Sequence, residues 1–230
     1  MGTDIAANIA AVKQRIAAAA ERGKRSPDSV KLLAVTKTVP VPVIEEAIRA
    51  GITALGENYV QEAREKIAVI GRSIPWHMIG HLQTNKAKYA VTLFDYVHSV
   101  DRLDLAAEID KRAGRAGRQI NILIEINVSG EKTKNGIPAG KAVALLQDLS
   151  AMQHIAVKGL MTMAPYSDDP ETSRPYFREL KNLQQNIIRA GIAGIHMEEL
   201  SMGMTDDFDV AVEEGATLVR IGRAIFGERN

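Results

Sequence analysis

Lys31-Leu-Leu-Ala-Val-Thr-Lys37 is an apolar, strand-like run that ends on a single lysine and passes at once into Thr38-Val39-Pro40. No glycine-rich G-x-G-x-x-G turn follows it, so this first strand lacks the mark of a dinucleotide-binding open sheet. Runs of the same kind recur downstream. After the first, at 31–36, strands are predicted at 53–57, 76–80, 96–100, 120–127, 157–163, 197–201 and 217–221. Segments of helical period separate them. Val43, Ala47 and Ile48 mark one, opened by Pro42. Leu103, Ala106, Ala107 and Ile109 mark another, capped by Asp101. Phe177, Leu180, Leu183, Ile187 and Ile188 mark a long one, entered through Asp169-Pro170-Glu171. Strand and helix alternating about eight times imply a parallel sheet with right-handed crossovers. The expectation is an α/β fold: a single (β/α)8 TIM barrel, one domain over residues 1–230. A doubly wound open sheet is the alternative.

One extra helix precedes the barrel. Ile5, Ile9, Val12 and Ile16 recur at helical spacing, with Ala17 to Ala20 behind them and Thr3 or Asp4 as N-cap. Residues 23–28 form a loop, and Gly114-Arg-Ala-Gly-Arg118 is expected to be a solvated turn. No interdomain linker or low-complexity tract is visible.

Composition narrows the classes. Hydrophobic residues make up 46% of the 230 and charged ones 25%, enough for a substantial core. A formal net charge of +1 gives no whole-protein field that favours nucleic acid. The absence of cysteine excludes disulfides, thiolate metal sites and a cysteine nucleophile, and is compatible with a reducing compartment. There is no uninterrupted apolar span for a membrane and no basic-then-apolar leader. Gly2 does not open a myristoylation pattern, because Ala6 occupies its sixth position. A cytoplasmic protein is expected.

In a barrel the strand C-termini converge on one face, where chemistry is usually sited. The proposed strands end at Lys37, Glu57-Asn58, Gly80-His81, Asn127, Met161 to Met163 with Tyr166 beyond, Ser201, and Arg220 with Gly222. An amine held at a rigid strand end can act as a nucleophile, most naturally forming a Schiff base with a carbonyl. Taken alone, a lysine just past a buried strand more often marks the exit to solvent.

Two of these ends suit phosphate. Ser201-Met-Gly-Met-Thr205 offers two hydroxyls and a glycine before Asp206-Asp207. Gly222 and Arg223 stand where a short helix begins after the last strand, and helix N-termini present unpaired N–H groups to anions. The competing reading is that Gly222 only lets the strand turn, and that Met202 and Met204 fill core gaps. Arg220, inside the apolar Leu218-Val-Arg-Ile221, needs a partner: Glu57, Glu125, or a ligand acceptor. His77 and His81 lie four residues apart, about 13 Å along a strand, too far to share a metal ion. Asp206, Asp207 and Asp209 read as helix N-terminal acids, and Lys132 and Lys134 as solvated loop lysines.

Six stretches together carry a resemblance. They are Leu32-Leu-Ala-Val-Thr-Lys-Thr38, Gly56-Glu-Asn-Tyr-Val-Gln-Glu62, Trp76-His-Met-Ile-Gly-His-Leu-Gln-Thr-Asn-Lys86, Lys158-Gly-Leu-Met161, Leu200-Ser-Met-Gly-Met204, and Val219-Arg-Ile-Gly222 through Ala224-Ile-Phe-Gly227. In this order they resemble the pyridoxal phosphate homeostasis protein family over nearly the whole chain. The resemblance implies the barrel of alanine racemase, fold type III for pyridoxal 5'-phosphate, without the racemase's extra β-domain. It further implies a Schiff base on Lys37, phosphate held around Ser201, Thr205 and Gly222, Arg220 facing the pyridine nitrogen, and Met202 among the cofactor-binding residues. Asn58 and His81 are implied to line the pocket near the ring. Thr205 stands where a serine is common, and His81 where some relatives carry proline. A permanent cation beside the ring nitrogen discourages its protonation and makes the ring a weaker electron sink.

Three functions follow, in order. The first is a non-catalytic carrier of pyridoxal 5'-phosphate, with apo-enzymes that use the cofactor as recipients and the chain acting as a monomer. The second is a cofactor-dependent amino-acid racemase, with Tyr166 or His81 as the second acid/base. The third is a phospho-substrate isomerase or aldolase using Lys37 with Glu57 or Glu125 as base.

Overall fold

In β1 (Lys31–Val35), Leu32 and Ala34 belong to one apolar cluster and Leu33 to another, as the period of two along a strand requires. The same split recurs in three later strands, at Leu123, Met161 and Leu218, and defines the layers of the molecule. This is a computed structural model that describes residues 4–131 and 133–228. Gly2, Thr3 as an alternative N-cap, and Lys132 lie outside the described residues.

The further strands are β2 (Leu55–Glu57), β3 (Trp76–Met78), β4 (Tyr96–Val100), β5 (Ile120–Asn127), β6 (Ile137–Pro138), β7 (Ile155–Met161), β8 (Glu199–Ser201) and β9 (Leu218–Ile221). All pairings are parallel, and the sheet order β4-β3-β2-β1-β9-β8-β7-β5 closes through β4 against β5. The result is a closed eight-stranded barrel, the expected TIM architecture. β6 hangs on β5 through Ile126↔Ile137 and was not foreseen. At two residues it is too short to leave a periodic signal.

Inside the ring, Leu33, Leu123, Met161 and Leu218 form a small apolar plug. Outside it, the alternate strand residues pack under the helices in one large cluster. Those helices are α1 (Ile5–Arg22), α2 (Val41–Arg49), α3 (Val60–Ile70), α4 (Ala87–Leu93), α5 (Leu103–Arg115), α6 (Ala142–Leu149), α7 (Arg174–Ala190), α8 (Phe208–Glu213) and α9 (Arg223–Phe226). The extra helix α1 is capped by Asp4, which accepts from the Ala7 N–H at 2.9 Å. It buries Ile5, Ile9, Val12 and Ile16 and lies against α8 and α9, where Asn8 Nδ2 donates to the Ile225 carbonyl at 2.9 Å.

Two local expectations are corrected. The N-cap of α5 is Arg102, not Asp101: Arg102 is the last extended residue, and the Asp101 carboxylate instead accepts from its guanidinium at 2.7 Å. Arg118 is not part of a solvated turn, because it donates to the Val91 carbonyl at 2.5 Å and to Asp95 at 3.2 Å.

Among the described residues no helix is long and apolar enough to cross a membrane, and no cluster of His, Cys, Asp or Glu could hold a metal ion.

Candidate functional site

A cavity of about 400 Å³ lies at the C-terminal end of the barrel strands, and Lys37, Asn58, Met204, Thr205, Arg220 and Gly222 are among the residues that line it. The residues come from four places in the chain. Lys37 follows β1, Asn58 follows β2, Met204 and Thr205 follow β8, and Arg220 with Gly222 ends β9. Lys37 is half-buried, and among the described residues its amine has no hydrogen-bond or ion-pair partner.

Arg220 forms the floor. It is 4% exposed, and neither Glu57 nor Glu125 is its hydrogen-bond partner. Its Nη1 donates to Ser201 Oγ at 2.7 Å and its Nη2 to the Thr162 carbonyl at 2.8 Å. Glu57 is taken by others: its Oε1 accepts from Thr36 Oγ1 at 2.6 Å and from Lys66 Nζ at 2.7 Å. Burial pulls the Arg220 guanidinium down to about 10, against the opposing pull of Asp207 and Glu125. At neutral pH it remains a cation held by neutral acceptors.

A buried polar chain continues from that floor across the barrel. His98 Nδ1 lies 3.0 Å from Ser201 Oγ, and His98 Nε2 lies 2.9 Å from His77 Nδ1. His77 stacks on Tyr96 with ring centroids 4.5 Å apart, and the Tyr96 hydroxyl donates to Glu199 at 3.2 Å. Burial depresses His77 to about 3 and His98 well below the ordinary histidine value, so both are neutral at physiological pH. Burial, reinforced by Glu199, raises Tyr96. Glu125 is pushed up to about 7, chiefly by burial and then by Asp101.

Asn58 is held by a close backbone approach. A Cβ on Gly80 would fall 2.3 Å from the Asn58 carbonyl oxygen, so only glycine fits there. The Asn58 Oδ1 is buried with no hydrogen-bond partner among the described residues. The loop bearing Thr205 turns at Gly203, whose φ of +89° favours glycine. Thr205 Oγ1 accepts from the Ala224 N–H at 3.4 Å, tying this loop to the start of α9.

The remaining candidates fall outside the cavity lining. Ser201 and Met202 are fully buried, Ser201 beneath Arg220 and Met202 in the apolar core. His81 is exposed and faces a neighbouring groove of about 440 Å³, which shares Asn58 with the cavity. Tyr166 is 81% exposed and its hydroxyl donates to Asp168 at 2.9 Å. Sequence reasoning missed His98 and Thr162. The available signal was a polar side chain inside an apolar strand, as at Tyr96-Val-His-Ser-Val100.

The sequence matches the family described as "Alanine racemase, N-terminal domain" over residues 5–230. The "Pyridoxal phosphate homeostasis protein" of Aquifex aeolicus is 45% identical over 219 residues, which cover 95% of each chain. The chain belongs to the pyridoxal phosphate homeostasis protein family. Its Pasteurella multocida member is 40% identical over 97% of each chain. The solved structure of PipY from Synechococcus elongatus PCC7942, with PLP bound, superposes with a TM-score of 0.85 at 34% identity. That similarity covers 97% of this chain and all of PipY.

Proposed function

We propose that this chain binds pyridoxal 5'-phosphate as a Schiff base on Lys37 and serves cytoplasmic homeostasis of the cofactor without turnover of its own. The observation that carries the reading is one cavity that joins the unpartnered Lys37 amine to the Arg220 guanidinium and the Thr205 and Gly222 loops. The cofactor supplies an aldehyde for the Lys37 amine, and the residues present fit it. Asn58 offers an unpaired acceptor, and Thr205 with the first turn of α9 offers donors to the phosphate. Arg220 would set a cation beside the ring nitrogen of the bound cofactor and would discourage its protonation. Ser201 serves this site by orienting Arg220, Met202 by packing the loop that bears Thr205, and His81 by facing the adjoining groove.

The racemase alternative needs an acid/base opposite Lys37. Neither Tyr166 nor His81 is among the residues lining the Lys37 cavity, which favours holding over turnover. The reading extends to one barrel domain over residues 1–230, acting as a monomer that delivers the cofactor to apo-enzymes. The closed ring supports the monomer, since it leaves no long strand edge to pair with a second copy.

Titrating wild type and Lys37→Ala with pyridoxal 5'-phosphate tests the reading. A visible Schiff-base band in wild type alone is expected. A band of equal strength in Lys37→Ala contradicts the assignment, and rapid turnover of alanine enantiomers contradicts the non-catalytic role.

A further inference from the structure

Both peptide groups that flank the Lys37 Cα are hydrogen-bonded to one cluster of charge, buried at Glu57 and Lys66 and partly exposed at Glu62. Lys66 Nζ donates to the Thr36 carbonyl at 2.5 Å, the carbonyl of the peptide that precedes Lys37. The Thr38 N–H, which belongs to the peptide that follows, donates to Glu62 Oε1 at 2.5 Å. Lys66 closes the cluster, donating to Glu57 and Glu62 at 2.7 Å each. All three ammonium donors of Lys66 are therefore engaged. Thr36 adds a hydroxyl bond to Glu57 at 2.6 Å.

A role in stability alone does not explain this arrangement. Burying an ion pair has a desolvation penalty that can exceed its Coulombic gain, and apolar residues of similar volume often serve stability as well. The Lys66 side chain is 8% exposed and that of Glu57 is fully buried. Thr38 adds strain, since its φ of +60° is the left-handed region that a β-branched residue avoids. Strain held beside a reactive group by surrounding bonds is the pattern of a positioned site. The directions of the bonds identify what is positioned: Lys66 and Glu62 of α3 reach the two peptides that flank Lys37, and Glu57 of β2 anchors Lys66 and the Thr36 hydroxyl behind them.

We infer that Lys66, Glu62 and Glu57 form a buckle that fixes the Lys37 backbone so that its amine meets the carbonyl of an aldehyde ligand. The three are positioning residues and act through Lys37, so the inference rests on the Lys37 reading given above. The buckle governs formation of the covalent bond and leaves the grip on phosphate and ring unchanged.

That division gives the test. Pyridoxal 5'-phosphate is compared with pyridoxine 5'-phosphate, which has an alcohol in place of the aldehyde and forms no Schiff base. The variants are Lys66→Met and Glu62→Ala. Glu62 has a side chain 24% exposed, so its loss is compatible with folding even where a buried Glu57 left without Lys66 is not. The expected result for Glu62→Ala is a loss of about tenfold in affinity for the aldehyde, with affinity for the alcohol unchanged. Equal losses for both ligands, or no loss for either, overturn the buckle. Lys37→Ala in the same assay separates the two claims. A Schiff base surviving there refutes the Lys37 reading and the buckle with it. One abolished there yet undiminished in Glu62→Ala refutes the buckle alone.

Discussion

Arg220 Nη1 donates to Ser201 Oγ at 2.7 Å, and the same hydroxyl lies 3.0 Å from His98 Nδ1. A guanidinium at the floor of the cavity is thus steered by a serine that is itself held by a neutral histidine. With no carboxylate bonded to it among the described residues, the cation is available to a ligand instead of being neutralised within the barrel.

Replacing Ser201 with Ala leaves a buried Arg220 donor without its acceptor. The expected loss is about 1–3 kcal/mol of folding stability, read as a lower denaturant midpoint at unchanged slope. An unchanged midpoint means that the hydroxyl does not hold the guanidinium.

The two buried histidines set an acid limit. His77 titrates at about 3 in the folded chain against an ordinary value of 6.5, so below 6.5 the unfolded chain binds the extra proton. Its contribution to stability is complete above about 6.5 and is lost as pH falls toward about 3. His98 has the same sign, while Glu125, raised to about 7, has the opposite sign at the upper end of this range. Comparing wild type with His77→Asn cancels the groups that do not touch His77; His98, 2.9 Å away, shifts with it in the same sense. Between pH 6 and 4, the wild-type stability slope is expected to be steeper by roughly 1.4 kcal/mol per pH unit. Parallel slopes contradict a neutral, buried His77.

Much of this architecture was legible in the chain. Lys37, Asn58, Thr205, Arg220 and Gly222 were found at strand ends or in the loops beyond them, because a parallel barrel gathers its C-terminal ends on one face. β4 and β5 were bounded correctly at both ends, β5 because its run of eight residues is long and largely apolar. Arg220's partners were not legible. Thr162 contributes a backbone carbonyl, which has no side-chain signature, and the Ser201–Arg220 contact depends on the register of β8 beside β9. Lys66 was missed for a different reason. On a helix, Gln61-Glu-Ala-Arg-Glu-Lys66 reads as a solvated charged face, and only the fold turns Lys66 inward.

Gly80 provides a steric test. In Gly80→Ala the new Cβ must displace the Asn58 backbone, which lies 2.3 to 2.9 Å away. A destabilisation of about 1–3 kcal/mol is expected, together with weaker binding of pyridoxine 5'-phosphate, because Asn58 moves at the cavity wall. Calorimetry of thermal unfolding and a binding titration check both, and wild-type values in both contradict the close packing.

The central claim is that Lys37 is the residue that takes the cofactor. Incubating the protein with pyridoxal 5'-phosphate, reducing with borohydride and mapping the modified peptide by mass tests it most directly. The expected result is bleaching of the visible band and a single reduced adduct on Lys37. An adduct confined to another lysine, or a protein left colourless and unmodified, contradicts it.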